Sequence, residues 1–538
     1  MLRRCWGLAI VGIFTIAIVP AWGQTASYDK GAVKALSQRI DEHLAKVWKK
    51  AGVTPAPKAE DHVFFRRLNL DLAGRIPDLI PMTDFVDDDS PDKRWMWVDR
   101  LLESKDHNQH FANVWRSIML GYQTNQQFQF LVPQFETWVR ERVEKNVGID
   151  KMVNQLLTSQ NNNPNMGFNP GFQNQGSPQL FFLANENKAE NLAGATSRVF
   201  LGVKIECAQC HAHPFAKWSK EQFWEFAAFY SAPPPQVRRP GIVPVQKVQG
   251  FQPGREILIP GTDKVVKAKF LNGKEPKWDV VNNSRKTLAD WVTSPDNPYF
   301  AKAMADHIWS YLMGVSLLEP IMEPSDDSPV THPDLLNDMA KALIDHNFDA
   351  KFLMRAIVHT DAYQRSSGGA KLADKEDYQL FVRMPMRSLS PEQIFDSVSM
   401  ATRYDEPRPV QNQQFFDPRQ LQTPRAQFML KYTNQDRRHE PQTSILQALF
   451  LMNGKFMADR TKLENNQDLK DLAAQTKGGH PARIRSLYMI VLSRPPRADE
   501  IDRLLPYLER GGATGNLGEA LSDIYWALLN SSEFLLNH

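Results

Sequence analysis

The amino-acid sequence predicts a mainly α-helical protein in which two helical domains are joined by a proline-rich segment with a small β element. Apolar residues recur at helical spacing before residue 232 and again after residue 284. Between them, residues 233–283 combine many prolines with short alternating Val, Ile and Leu runs, which are typical of strands and turns. The chain has 538 residues and 42% apolar side chains, which is enough for more than one domain. We therefore expect helical domains at 24–232 and 284–538.

Residues 1–23 have the features of a secretory signal peptide. Two arginines precede an apolar run that ends at Val19, and the small residues Ala21 and Gly23 mark a cleavage position before Gln24. We expect export to the periplasm or cell envelope and no transmembrane segment after cleavage. The alternative is an uncleaved membrane anchor, because the run is close to the length that spans a bilayer.

The charge balance argues against nucleic acid as a partner. Cleavage removes two arginines and no acidic residue, so the formal net charge falls from +3 to +1. Basic and acidic residues alternate along the chain, and a near-neutral surface of mixed sign gives no electrostatic attraction for nucleic acid or anionic lipid.

The first domain is expected to be built from amphipathic helices. The apolar spacing begins near Ala32 and continues, with an interruption, until Gly74 and Pro77 stop it. Further helices are predicted at 91–104, 109–121, 133–157, 188–204 and 219–230.

The segment IECAQCHAHPFAKW, residues 205–218, carries the chemistry of this domain. Cys207 and Cys210 are the two cysteines that an exported chain keeps, and His211 follows at once. A lone thiol pair in an oxidising compartment is oxidised, bound to a metal or covalently capped. The C-x-x-C-H spacing is that of c-type haem attachment, with two thiols for the vinyl groups and an imidazole for the iron.

Two other interpretations of the same residues stay open. Cys207, Cys210, His211 and His213 offer two sulfurs and two nitrogens to zinc, although four ligands within seven residues is cramped for a tetrahedron. A C-x-x-C disulfide without any cofactor is the other alternative.

A sixth ligand for a haem iron is not evident near the motif. Between His211 and Ala303 the chain contains no methionine, and His213 is too close to the proximal ligand to reach the opposite face. The ligand must come from a distance, or the iron is five-coordinate. Distant candidates in the first domain are Met152, Met166, His107 and His110.

The aromatic residues from Phe215 to Tyr230 allow two interpretations. They either form the walls of a porphyrin pocket or form the core-facing side of a helix.

The second half is predicted to be helical at 284–370, 391–403, 441–463, 481–493 and 517–535. Asp326, Asp327 and His332 could act as acid and base in a hydrolytic enzyme, or simply as turn residues and a cap before the helix that begins at Pro333. P-loop, G-x-G-x-x-G, G-x-S-x-G and H-E-x-x-H motifs are missing from the sequence, which argues against conventional nucleotide enzymes and serine hydrolases.

Long segments of the chain resemble a known family. These segments include FFRRLNLDLAGRIP, TSRVFLGVKIECAQCHAHPFAKW, DNPYFAKAMADHIW, RSLSPEQIFDSV and DIYWALLNSSEFLLNH. They are similar to large exported bacterial proteins, abundant in planctomycetes, that pair a cytochrome-like N-terminal domain with a C-terminal domain, both of uncharacterised function. The resemblance covers nearly all of the mature chain and implies haem on Cys207, Cys210 and His211.

Two positions depart from the pattern of this family. Asp306 and His307 stand where relatives usually have Asn-Arg, and Ala212 replaces an aspartate between His211 and His213. A metal-ligand role for His213 is less secure as a result.

The sequence thus predicts an exported protein that binds one haem c and serves electron transfer or a haem-dependent redox step, with a separate protein as its redox partner. The alternative is a non-haem binding or scaffold protein of the envelope whose cysteines form a disulfide or a zinc site. Neither a substrate, a catalytic residue nor an oligomeric state follows from the sequence.

Overall fold

The computed structural model describes residues 28–121, 131–159, 176–211, 218–231, 252–278, 283–318, 331–368, 375–406, 423–432 and 454–538. Over these residues the protein is mainly α-helical with two small antiparallel sheets, as the sequence predicts. The predicted signal peptide lies outside the described residues. In the part of the chain that is described, no helix has both the length and the apolar character needed to cross a membrane.

The first half is helical up to residue 230. Its helices are α1 (Lys30–Ala51), α2 (Asp61–Ala73), α3 (Leu79–Asp87), α4 (Lys93–Leu102), α5 (Lys105–Leu120), α6 (Val132–Glu144), α7 (Ile149–Thr158), α8 (Leu180–Ala184), α9 (Ala189–Leu201) and α10 (Lys220–Ala227), with 3₁₀ turns at Glu206–Gln209 and Ala228–Tyr230.

The predicted hairpin of the proline-rich segment is confirmed, because β1 (Glu256–Leu258) pairs antiparallel with β2 (Val265–Lys267). The following helices are α11 (Ser284–Val292), α12 (Phe300–Met313), α13 (Pro333–Asp345), α14 (Ala350–Val358), α15 (Pro391–Ala401), α16 (Pro424–Tyr432), α17 (Lys455–Arg460), α18 (Gln467–Ala474), α19 (Gly479–Leu492), α20 (Ala498–Glu509) and α21 (Leu517–Leu529). The second sheet joins β3 (Arg387–Ser388) to β4 (Leu536–Asn537), and 3₁₀ turns lie at Lys375–Leu380 and Leu463–Asn465.

The helix predicted at 133–157 is in fact two helices. Asn146 adopts a left-handed conformation with φ of 45°, which ends α6. Gly148 then allows the chain to pass close to another backbone, since a Cβ at this position would lie 2.5 Å from the Asn347 carbonyl oxygen. The sequence predicted one helix because apolar residues recur at helical spacing in both α6 and α7, on either side of this corner.

One large hydrophobic core contains residues from both halves of the chain. Helix α1 packs against α13 and α14, α7 packs against α11, and α9 packs against α12. Buried side chains of this core run from Val33 to Met384. The predicted domain boundary at residue 284 therefore does not separate two hydrophobic cores. The division of the chain into a cytochrome-like domain and a C-terminal domain stays a prediction.

A second, smaller core is formed by α15 to α21 together with two residues from the start of the chain. Leu70 on α2 and Ile76 just after it are buried among residues that begin at Leu389. Their helix neighbours Leu68 and Leu72 are buried in the large core instead. Helix α2 is thus the element that both cores share.

Because it lies between two cores, α2 buries charged residues as well as apolar ones. Asp71 is 1% exposed, and its carboxylate accepts hydrogen bonds from Tyr363 Oη at 2.8 Å, Arg387 Nη2 at 2.9 Å and Asn537 Nδ2 at 2.8 Å. These three donors come from the turn that follows α14 and from the two strands of the second sheet. A buried carboxylate with this many donors fixes how those segments meet.

Two arginines on α2 bind backbone carbonyls of the second half in the same way. Arg66 donates to the carbonyls of Val491 at 3.2 Å and Phe534 at 3.0 Å. Arg67 donates to the carbonyls of Tyr363 and His538. Both side chains are almost completely buried, and burial lowers the pKa of each arginine to about 10.

Loss of the Asp71 carboxylate is expected to destabilise the whole chain. In Asp71→Asn the Arg387 guanidinium stays buried without a counter-charge, so the free energy of unfolding should fall by about 3–5 kcal/mol. Urea unfolding followed by circular dichroism measures this. Asp106→Asn is the control, because its ion pair with Arg75 is on the surface and should contribute less than about 1 kcal/mol. Equal losses in the two variants would contradict the role assigned to Asp71.

Candidate functional site

The cysteine motif lies on a short turn between α9 and α10. Helix α9 ends at Gly202, which has a left-handed φ of 65°, and the 3₁₀ turn Glu206–Gln209 follows. Ala208 points into the core and is fully buried, whereas Cys207 and Cys210 are exposed and their thiols are free. The turn therefore presents both sulfurs at the surface.

His211 directly follows the turn and is also exposed. His213 lies outside the described residues, as do Ala212 and Phe215. Cys207, Cys210 and His211 are thus all exposed within one short stretch of chain. Both thiols are accessible to a reaction partner, which suits covalent attachment or oxidation.

Two hydrogen bonds that the sequence did not predict hold this turn in place. Trp224 Nε1 on α10 donates to the Gln209 carbonyl at 3.1 Å. The Glu206 carboxylate accepts from Arg198 Nε on α9 at 3.1 Å. Gly194 provides the space for this, because a Cβ there would lie 2.7 Å from Cγ of Glu206. A glycine one helical turn before an arginine, in a helix leading to the cysteines, was the only sequence signal for this arrangement.

The second oxygen of Glu206 is buried and accepts no hydrogen bond. Burying a carboxylate oxygen without a donor has a cost in free energy. The ion pair with Arg198 offsets part of this cost. Glu206, the neighbour of Cys207 in the sequence, thus has one carboxylate oxygen that accepts no hydrogen bond.

The aromatic residues after the motif form a helix core face. Trp218, Phe223, Trp224, Phe226, Phe229 and Tyr230 are all buried. Phe229 stacks on Phe270 of the β element with ring centroids 5.2 Å apart, and Phe226 contacts Trp291 on α11 edge-on. These rings pack against protein, so they are not the walls of an open pocket.

The distant candidates for a sixth ligand occupy other places. His107 and His110 are buried on α5, and Met152 is buried on α7. His110 Nε2 shares a hydrogen bond with Tyr311 Oη, so this nitrogen already has a partner. Met166 lies outside the described residues. The cysteine turn itself packs against α9 and α10.

Among the described residues, no three His, Cys, Asp or Glu side chains are grouped so that they could hold a metal ion.

The predicted acid–base residues of a hydrolytic enzyme are described in part only, because Asp326 and Asp327 fall outside the described residues. His332 precedes α13 and binds the Gln379 carbonyl through Nε2 at 2.7 Å. That contact gives His332 a structural role at the start of the helix.

Two of the residues that depart from the family pattern lie on α12, where Asp306 is buried and His307 is half-buried. The carboxylate of Asp306 accepts from Ser316 Oγ and from the Leu317 backbone, each at 2.7 Å. His307 Nε2 donates to the Val199 carbonyl on α9 at 2.8 Å, which makes it a core histidine with a partner. Both residues tie the segments that support the cysteine turn.

Asp306 should make stability depend on pH. Burial raises its pKa from 3.8 to about 7, so the folded chain prefers the protonated carboxyl. This contribution is complete below about pH 4 and is lost as the pH rises through about 7. Relative to Asp306→Asn, the unfolding free energy of the native chain should fall by up to about 1.4 kcal/mol per pH unit in this range.

Urea titrations from acid to neutral pH measure the difference. Asp345→Asn is the control, because Asp345 forms an exposed ion pair with Lys341 on α13. This variant should follow the native chain at every pH. If Asp306→Asn also followed the native chain, the buried carboxyl would not be a titrating group.

Comparison with known proteins finds two family models that each match part of the chain. Residues 39–233 match the family model PSCyt2, a protein of unknown function (DUF1549), and residues 284–438 match PSD1, a protein of unknown function (DUF1553). No curated protein and no solved structure matches the chain. The cysteine turn lies within the first match. The segment that carries the cysteines is therefore similar to one family of unknown function, and the segment that follows the β element is similar to another.

Proposed function

We propose that the chain is an exported c-type-haem-binding protein that serves electron transfer or a haem-dependent redox step of the cell envelope. The observation that carries the proposal is the joint exposure of Cys207, Cys210 and His211 on one anchored turn. Covalent attachment needs both sulfurs to reach one porphyrin, and the exposure of both cysteines on one short turn supports it.

In this proposal each residue of the turn has one role. Cys207 and Cys210 would hold the haem through two thioether bonds, each from addition of one S–H group across one vinyl group without a leaving group. His211 would supply the imidazole for the iron. When bound, the haem would supply a one-electron iron couple.

The scaffold around the turn supports this role. Trp224 and Glu206 hold the turn against α10 and α9, while Ala208 and Ile205 are buried beneath it. A rigid support keeps the thiols and the imidazole in a constant relation to each other. The name of the first family model, PSCyt2, also hints at a cytochrome-like character. An exposed cofactor edge suits electron exchange with a separate redox partner.

Covalent haem is tested on the full chain, exported in a host that expresses a cytochrome c maturation system. We expect a haem-stained band on a denaturing gel and a mass increase of several hundred daltons. Cys207→Ser combined with Cys210→Ser should remove both. Glu221→Gln is the control, because Glu221 forms an exposed ion pair with Lys264 on the β element and should leave the stain unchanged. A full-length exported chain that never stains would overturn the proposal.

The second candidate is a non-haem binding or scaffold protein of the envelope, in which Cys207 and Cys210 form a disulfide or bind zinc. The observation that favours it is the packing of the neighbouring aromatic rings into the core, where they cannot surround a porphyrin. The same mass measurement separates the candidates. A loss of two hydrogens indicates the disulfide, and retained zinc under native conditions indicates the metal site.

A further inference from the structure

A cleft between α5, α7 and α14 has an unusual polar atom in an apolar wall. It contains about 340 Å³ of empty space, much of it open to solvent, and its enclosed part is the size of one water molecule or one ion. His107, Met152 and Met354 line it, together with aromatic and aliphatic side chains such as Phe111 and Trp115. The cleft is distinct from the cysteine turn, which packs against α9 and α10.

His107 is the residue that points to a ligand. It is 1% exposed, and its Nδ1 lies 2.9 Å from the Leu72 carbonyl oxygen. A carbonyl accepts only, so Nδ1 carries the proton and donates, and Nε2 keeps its lone pair. That Nε2 is buried and has no hydrogen-bond partner. Burial lowers the pKa of His107 well below its ordinary value, so the ring is neutral at physiological pH.

An imidazole held in this way is prepared for coordination. Histidines that bind metals usually donate their other ring nitrogen to a carbonyl or carboxylate, which fixes both tautomer and orientation. The Leu72 carbonyl does this for His107. The unpartnered lone pair of Nε2 is then the available ligand atom.

The remaining ligand atoms select the kind of ion. Met152 is 2% exposed and Met354 is 1% exposed, and both line the cleft with side chains that contain one thioether sulfur each. Thioether and imidazole ligands suit soft cations, above all Cu(I), whereas hard divalent ions require oxygen ligands. An adjacent indole such as that of Trp115 also attracts a cation that is poorly hydrated.

The charges around the cleft are only partly balanced. Lys351 lines the cleft, and its ammonium is bound by Glu103 at 3.1 Å. Arg355, one turn further along α14, is bound by Asp99 at 2.7 Å and by the same Glu103 at 3.3 Å. Both cations nevertheless lower the pKa of His107, so the field at this imidazole is positive. Repulsion grows with the charge of the ion, so this field disfavours a divalent ion more strongly than a monovalent one.

We propose that this cleft binds one Cu(I) ion through Nε2 of His107 and the thioether sulfurs of Met152 and Met354. The site is independent of the proposed haem and does not require it. Its proposed ligands are one imidazole and two thioethers, and no Cys, Asp or Glu side chain is among them.

Binding is tested with Cu(I) in competition with a coloured chelator, and with Ag(I) as a probe stable to oxidation. The full chain is used with Cys207→Ser and Cys210→Ser, because free thiols bind both ions. We expect one ion per chain. His107→Leu should weaken binding at least about tenfold. Met386→Leu is the control, because Met386 is exposed and should leave the affinity unchanged.

The volume-conserving variants Met152→Leu and Met354→Leu keep the test decisive if His107→Leu does not fold. Each should weaken binding while the urea midpoint stays close to that of the parent. X-ray absorption of the loaded chain should show nitrogen and sulfur neighbours. Failure to take up either ion, or uptake that these three variants leave unchanged, would overturn the proposal and leave the cleft as a site for water.

Discussion

The buried hydrogen bonds of Asp71 are the interaction on which the arrangement of the chain depends. This one carboxylate binds Tyr363, Arg387 and Asn537, which are distant in sequence and belong to three different segments. Its helix, α2, contributes side chains to both hydrophobic cores. A buried charge is tolerated only with matched partners, so the segments that supply those partners must meet at α2.

The two proposed sites use the scaffold in opposite ways. At the turn, buried Ala208 and the anchors from α9 and α10 leave Cys207, Cys210 and His211 at the surface, where a large planar group or a partner protein can approach. In the cleft, His107 is deeply buried and its Nδ1 donates to the Leu72 carbonyl. The enclosed space beside it is small, so it admits only a ligand about the size of one ion. An exposed site favours exchange with other proteins, and a buried one favours retention.

The sequence predicted the helical class and the β hairpin, and it singled out the cysteine motif, because these depend on local patterns. Helical spacing marks α1 and α12, and the change in composition after residue 230 marks β1 and β2. It could not predict that Arg66, Arg67 and Asp71 are buried, since charged residues in an amphipathic helix normally face solvent and their partners lie hundreds of residues away. The sequence also did not predict the corner at Asn146, the ion pair of Glu206 with Arg198 or the unpartnered Nε2 of His107, for the same reason. Each depends on tertiary contacts that no local period encodes.

The central claim is that Cys207, Cys210 and His211 together bind one haem. The most direct measurement is the visible absorption spectrum of the exported, purified full chain, before and after reduction with dithionite. The account predicts an intense Soret band and a sharpened α band on reduction, both retained after extraction with acidic organic solvent, because thioether bonds hold the porphyrin. A colourless protein, or a colour that is lost on extraction, would contradict it.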